Sequence, residues 1–501
     1  MLFAKKSNVY KLVAIIFGFT LAIITNNLVH AENLDSAKFT IQELDKTSSF
    51  TIAQTFKQLD FSNTYYQKLS EADYYYRQGN LSQAKEIQQQ VKPAFAATAT
   101  VPPAIDDLAK LDAKGQQYWN TANKAIEANP ETELEITGKI FEPLQSLVKE
   151  YPGFIPGHIL LADTYDLYGE EKPALATIEK AAEMYPARED ILDTKIDLLL
   201  LYGQPLEASI AAREFAYSYP NNQKSKAYEQ AANQYFEQYK KKLNSKITTS
   251  GILGSIGQVA TGNELGALEI GQMLLAGEKS AGQSFAQSIK AQSKMVSDQK
   301  QLKYLNDIGQ KLAKLMGRNE FEYEFNIVDD PTPNAFALPG GKIFFHTGML
   351  ELMDSEAELA GVLAHEIAHS VLSHSYKQIG ESALTGTASN LITSMIGRGA
   401  GAASQVGGLL LNQKFSRDKE KQSDILGLRV LDAAGYSADG LYNVMAKLKK
   451  LQGESGTGAS LLSSHPASEE RMRYLEELIQ TKGYNRYGYE GVEAYRSVFP
   501  R

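Results

Sequence analysis

His365-Glu366-Ile367-Ala368-His369 sets two imidazoles four residues apart with a carboxylate beside the first. Leu359, Val362, Leu363 and Ile367 recur at helical spacing through Ser355 to Ser373, which predicts a helix there. Residues four apart share a helix face, so both imidazoles can reach one metal ion. Glu366 then lies on the adjacent edge of that face, where it can reach a metal-bound water without binding the metal. Imidazole suits Zn²⁺, and a catalytic zinc takes three protein ligands and keeps one position for water. This five-residue pattern arises by chance in long chains, but five of the seven histidines fall between His346 and His465.

A third ligand is then required. The stretch Phe415 to Asp424 offers Glu420, with Asp424 one turn further on the same face. Glu420 can complete the metal site, and Asp424 can accept a hydrogen bond from a ligand imidazole and fix its tautomer. The competing reading is a solvated charged helix, because Asp418 to Lys421 alternate in sign. His374 stands five residues beyond His369, which on a continuous helix turns it about 140° past a full circle. It is therefore expected to point away from the ligands, as a surface or packing residue. His346 follows Ile343-Phe344-Phe345 and is expected to end a strand. Gly341 to His346 is the candidate sheet edge for binding an extended polypeptide as an added strand.

The elements around these residues can be read from composition and punctuation. The chain has 501 residues, 43% hydrophobic and 22% charged, with a formal net charge of −8 and no cysteine. That excludes a disordered chain, disulfides, Cys-ligated zinc and a thiol nucleophile, and it disfavours a nucleic-acid binder. Lys5, Lys6 and Lys11, the apolar run Leu12 to Ile24, and Val29-His30-Ala31 have the form of an export signal cleaved after Ala31. The apolar run is short for a membrane span, which needs about 20 residues; an uncleaved anchor is the alternative. The protein is thus expected to be exported, periplasmic or otherwise extracytoplasmic, and soluble after cleavage.

Tyr-Pro recurs at Tyr151-Pro152, Tyr185-Pro186 and Tyr219-Pro220, and Tyr-Gly at Tyr168-Gly169 and Tyr202-Gly203, each with a spacing of 34 residues. The period resembles the tetratricopeptide repeat. Leu161, Ala162, Tyr165, Gly169, Ala174, Ile178 and Ala181 follow its alternation of large and small residues. Ala and Gly let paired helices approach, and Pro stops the second of them. Such arrays hold a partner peptide or protein, so an envelope protein is an expected partner. Lys92 to Pro103 reads as a linker. Thr248 to Gly282 reads either as small-residue helices packed on the next domain or as a peripheral membrane contact. Ala388 to Leu411 reads either as a mobile lid or as a surface excursion.

Several blocks in the second half, in order, are similar to the HtpX/BepA/Oma-type zinc metallopeptidases, a gluzincin family that also includes the CAAX prenyl proteases. They are Asn334 to Ile343, Glu356 to Ala360 leading into the two-histidine helix, Ser416-Arg417, Glu420, Asp424 to Gly427, Ala433 to Tyr436, and His465-Pro466 with Arg471. Together they run from about Leu302 to Glu477. Ser423 departs from the pattern, which commonly has Ala before the Asp. The resemblance implies one zinc per chain on His365, His369 and Glu420, with Glu366 as general base and Asp424 as a supporting acid. It also supports His465 and Arg471 as candidates to stabilise an oxyanion. His465 has a second reading, in which it occupies the metal and makes a latent enzyme.

The expected architecture is mostly α: a helical-repeat region followed by an α+β zincin-type metallopeptidase domain with a small sheet. The expected divisions are a signal at 1–31, a helical region with linker at 32–104, repeats at 105–247, connecting helices at 248–300 and the metallopeptidase domain at 301–501. The implied activity is zinc endopeptidase action on misfolded or unassembled envelope proteins. The alternative is a chaperone or adaptor with a latent or non-catalytic site.

Overall fold

The computed structural model describes residues 63–95, 101–249, 274–384, 415–455, 465 and 469–500. The export signal, most of the Thr248 to Gly282 segment and the whole Ala388 to Leu411 segment lie outside them.

The 34-residue period is a period of helix pairs. Helices α5 (Ile155–Leu167) and α6 (Glu171–Met184) are followed 34 residues later by α7 (Glu189–Leu201) and α8 (Pro205–Ser218), and then by α9 (Ser225–Thr249). Gly169 and Gly203, with φ of +77° and +68°, end the first helix of each pair, because the left-handed turn costs a glycine little. Tyr185 and Tyr219 cap the second helices, and the prolines after them forbid continuation. Ala162, Ala174, Ile178 and Ala181 are fully buried between the helices. Just before the array run α3 (Ala113–Ala128) and α4 (Glu142–Glu150), with a short helix Glu133–Ile136 between them.

At the other end of the described chain, α1 (Asn63–Arg77) and α2 (Leu81–Gln89) form a hairpin. It packs on the C-terminal residues through Tyr65, Tyr66, Leu69 and Val492. The segment read as a linker begins with a docked residue: Lys92 Nζ is buried, 2.7 Å from Asp439 Oδ1 and 2.5 Å from Glu490 Oε1. Pro102 is held as well, its carbonyl accepting from Tyr185 Oη at 2.7 Å. Composition marked these residues as a loop but could not show that the loop is pinned at both described ends.

Helices α10 (Glu278–Gln292) and α11 (Gln299–Met316) lead to a three-stranded sheet of β1 (Glu324–Val328), β2 (Ala335–Leu338) and β3 (Lys342–His346). Gly282 sits so close to the Pro339 carbonyl that a Cβ would fall 1.8 Å from its oxygen. At this point, then, the small-residue segment serves packing. The strand order is β1-β3-β2, with β3 parallel to β1 and antiparallel to β2. This corrects the expectation for Gly341 to His346: β3 is the central strand, and its backbone is paired on both sides. An alternation pattern identifies a strand but not its place in the sheet.

The two-histidine segment is α12 (Glu356–Val371), capped by the Ser355 hydroxyl on the Glu358 N–H and buried from Ala357 to Val371. It packs against α14 (Arg417–Ala433) and α15 (Gly440–Ser455), with α13 (His374–Leu384) after it and α16 (Glu469–Lys482) beyond. Glycines make the crossings close. A Cβ at Gly427 would stand 3.3 Å from the His365 backbone nitrogen, and one at Gly440 would fall 2.1 Å from the Ala357 carbonyl oxygen. This approach sets the acids of α14 against the imidazoles of α12. No helix among the described residues is long and apolar enough to cross a membrane.

Candidate metal centre

One face of α12 carries His365 and His369, whose Nε2 atoms lie 3.1 Å apart. From α14, Glu420 Oε1 reaches to 3.4 Å from His369 Nε2, and Oε2 to 3.6 Å from His365 Nε2. His465 adds a fourth donor: its Nδ1 is 2.8 Å from Glu420 Oε1 and 3.3 Å from His365 Nε2. The ligand atoms of these four buried residues all lie within 4.8 Å of one another.

The donor set fits zinc. Two imidazole nitrogens and a carboxylate are its ordinary catalytic ligands, and the supporting bonds leave the right nitrogen bare. His365 Nδ1 is 3.0 Å from Asp424 Oδ1. A carboxylate only accepts, so His365 carries its proton on Nδ1 and turns an unprotonated Nε2 to the cluster. Burial pushes His369 down to about 3, although the Glu420 carboxylate beside it raises it. It is therefore neutral at ordinary pH. Arg471 and His465 hold Glu420 well below the usual carboxylate range although burial opposes them.

Glu366 is 1% exposed, and neither of its carboxylate oxygens has a hydrogen-bond partner among the described residues. Its Oε1 lies 3.7 Å from His465 Nε2. A buried carboxylate left without a donor is costly, and a water or a substrate N–H at this place would satisfy it. Beside it Val362, Leu441, Val444, Met445 and Leu448 wall a small recess bounded by His365, His465 and Arg471.

Two expectations change. Arg471 does not stand ready for an oxyanion. Its Nε and Nη2 make a two-point pair with Asp424, each bond 2.8 Å, and Nη1 meets Glu420. The side chain therefore braces the acids of α14. His374 does not point away. Helix α12 stops at Val371, Ser373 adopts a φ of +61°, and a new helix begins at His374. The 140° projection assumed a continuous helix. The break instead brings His374 Nδ1 to 3.0 Å from His369 Nδ1, and the ring is fully buried. The Ser373 hydroxyl accepts from Arg318 Nη1 at 3.0 Å and Arg213 Nη1 at 3.4 Å, which fixes the kink.

Sequence reasoning also passed over Phe415, which stacks on His369 with ring centroids 4.1 Å apart. It missed Gln422 too, whose Oε1 meets His374 Nε2 at 3.1 Å. Gln422 lies between Glu420 and Asp424 on the same helix, so a test of every polar residue there would have found it. Between the repeats and α14 runs a cavity of about 610 Å³, lined by Leu192, Phe215, Tyr219, Gln422, Tyr474 and Lys482 among others.

A helix with two histidines and a glutamate, a second helix with the third metal donor, and a small sheet beside them define a metallopeptidase-type centre. Residues 299–479 match the model of peptidase family M48. The metalloprotease YcaL of Escherichia coli K12 is 32% identical over 184 residues, which cover 34% of this chain and 68% of that protein. The mitochondrial metalloendopeptidase OMA1 of Schizosaccharomyces pombe is 31% identical over 201 residues, 39% of this chain and 58% of that protein. The beta-barrel assembly-enhancing protease of Escherichia coli K12 is 23% identical over 252 residues, 47% of this chain and 52% of that protein. The chain belongs to peptidase family M48. Against the latter two relatives it spans only somewhat more than half their length.

Proposed function

We propose that this chain is a zinc-dependent endopeptidase that hydrolyses peptide bonds in extended, misfolded or unassembled proteins of the cell envelope, with one zinc held by His365, His369 and Glu420. The observation that carries this reading is the buried, unpartnered carboxylate of Glu366 beside the four-donor cluster. A purely structural metal site has no use for it.

Bound there, zinc would acidify a water and polarise the scissile carbonyl. Glu366 accepts a proton from the attacking water and delivers it to the leaving amine nitrogen as the C–N bond breaks. His465, whose Nε2 faces Glu366, is the side chain positioned to donate to the carbonyl oxygen as it gains charge. Arg471 keeps Glu420 and Asp424 oriented. The signal-like amino terminus supports export. The name of one relative, a beta-barrel assembly-enhancing protease, supports an envelope setting. The helix pairs ahead of the catalytic region resemble tetratricopeptide repeats and would recruit substrate or an envelope partner.

A second reading is favoured by His465 Nδ1 standing among the donors. In it the imidazole occupies the fourth position, and the chain rests as a latent enzyme or serves as a chaperone or adaptor. The two readings separate on casein, with zinc content measured in parallel. The parent should cleave it, while Glu366→Gln should bind zinc and lose about 10²–10⁴-fold in rate. Zinc-loaded parent that does not cleave, but cleaves after His465→Ala, would establish latency. Inertness of both would overturn the peptidase reading.

A further inference from the structure

The two candidate histidine ligands are oriented from different places. His365 is fixed by Asp424, inside the family-matched region. The support of His369 begins outside it, on repeat helix α8. Glu214 Oε2 lies 3.0 Å from Gln422 Nε2. A carboxylate only accepts, so the Gln422 amide must turn its NH₂ to Glu214 and its oxygen the other way. That oxygen faces His374 Nε2 at 3.1 Å, so His374 carries its proton on Nε2.

A neutral imidazole protonated on Nε2 has a bare Nδ1. His374 Nδ1 and His369 Nδ1 face each other at 3.0 Å. One proton lies between them, and it belongs to His369. His369 Nε2 is then unprotonated, and it is the nitrogen turned towards His365 and Glu420. Ser423 Oγ, 3.3 Å from His374 Nδ1, offers a second donor to the same bare nitrogen.

We propose that Glu214 is a positioning residue for the metal centre: through Gln422 and His374 it dictates which nitrogen of His369 is free to bind the ion. The inference rests on the reading of the cluster as a zinc site. It makes the repeat region a part of the catalytic apparatus as well as a recruiting surface. What passes along the chain of bonds is direction, since the first group can only accept and each later group therefore donates to the one before it.

Reversing that direction is the test. In Glu214→Lys the new side chain only donates, so Gln422 must turn its oxygen to Lys and its NH₂ to His374. His374 Nδ1 then carries the proton, and His369 is left protonated on Nε2. Glu214→Lys combined with Gln422→Glu restores the direction, because the carboxylate accepts from Lys on one side and from His374 on the other. The metal-free, ¹⁵N-histidine-labelled full-length protein reports the tautomers by NMR, and chelator competition reports zinc affinity.

The single variant should exchange the His369 tautomer and lose about 10–100-fold in zinc affinity, the usual effect of losing a ligand's supporting partner. The double variant should regain both. An unchanged tautomer and parental affinity in Glu214→Lys would overturn the proposal, as would a double variant no better than the single. Should Glu214→Lys fail to melt cooperatively, Gln422→Met removes the middle of the relay at similar volume. It should give a mixture of His369 tautomers, and a pure Nδ1–H form there would overturn the proposal. A parent that takes up no zinc sinks the metal reading, and the purpose of the relay with it. Zinc bound equally by every variant sinks the relay alone.

Discussion

Two helical regions clasp the helices of the candidate metal centre, and they do so by different means. The α1–α2 hairpin joins through an interface centred on buried charge, with exposed contacts such as Ser70 to Glu493 at its edge. Lys92 meets Ser437, Asp439, the Arg486 carbonyl and Glu490. Asp73 accepts from the backbone N–H groups of Glu490 and Val492. Tyr66 donates to Glu358 at 2.8 Å. The repeat helices α6 and α8 join through partly exposed pairs, Lys421 with Glu183 and Lys377 with Glu207, around two inner bonds, Arg213 with Ser373 and Glu214 with Gln422, and leave a large cavity beside α14. A buried charge is costly to strip of a partner, because the charge left behind stays buried and uncompensated. Half-exposed pairs can be exchanged for water one at a time at little cost. The first interface is therefore held by its centre, whereas the rim of the second can adjust while its inner bonds stay in place.

The sharpest way to break this contrast is Lys92→Met. It leaves Glu490 buried without its cation and Asp439 with Arg486 alone, and should cost ~3–5 kcal/mol, read as a fall in the urea midpoint of the intact chain. A change under about 1 kcal/mol would mean that the hairpin is merely laid on the surface. Tyr66→Phe removes one hydrogen bond to a buried carboxylate that keeps Lys447 as a partner. The expected loss is ~1–2 kcal/mol.

Asp73 gives the hairpin a pH dependence. Burial pushes its carboxyl up to about 6, against the backbone N–H groups that lower it. Between the ordinary aspartate value and pH 6 the folded chain keeps a proton that the unfolded chain releases. This contribution is therefore full at the acid end and is lost as pH rises through about 6. Asp73→Asn should flatten that part of the slope in urea midpoints taken from pH 4.5 to 7.5; an unaltered slope would assign it to other groups. Smallest of all, Lys421→Ala at the repeat interface should change stability by ~0–1 kcal/mol. A loss as large as that for Lys92 would erase the distinction between the interfaces.

What could be read from the chain beforehand follows the range of the forces involved. The helix pairs were legible because Tyr-Pro and Tyr-Gly act on the adjacent backbone. The grouping of His365 and His369 was legible because four residues is nearly one helical turn. His374 was misjudged because the helix ends at Val371, before a left-handed serine held by two arginines distant in sequence. The sheet edge was misplaced because strand order is decided by pairing across the fold. Lys92 looked like part of a flexible connection because its partners lie more than three hundred residues on. Glu214 carries no local signal, since its role exists only once the repeats dock on α14.

The Lys92 cluster also says where this molecule can be cut. The stretch that resembles other M48 peptidases begins at Gln299 and ends at Ile479. A fragment with those limits would retain Asp439 while lacking its ammonium, its Arg486 partner and the whole hairpin that shields α12 at Glu358. Homology thus delimits a unit of descent that is shorter than the unit of folding. An expression experiment designed on the former should yield aggregates, where one begun before α1 and carried through Val498 would yield protein.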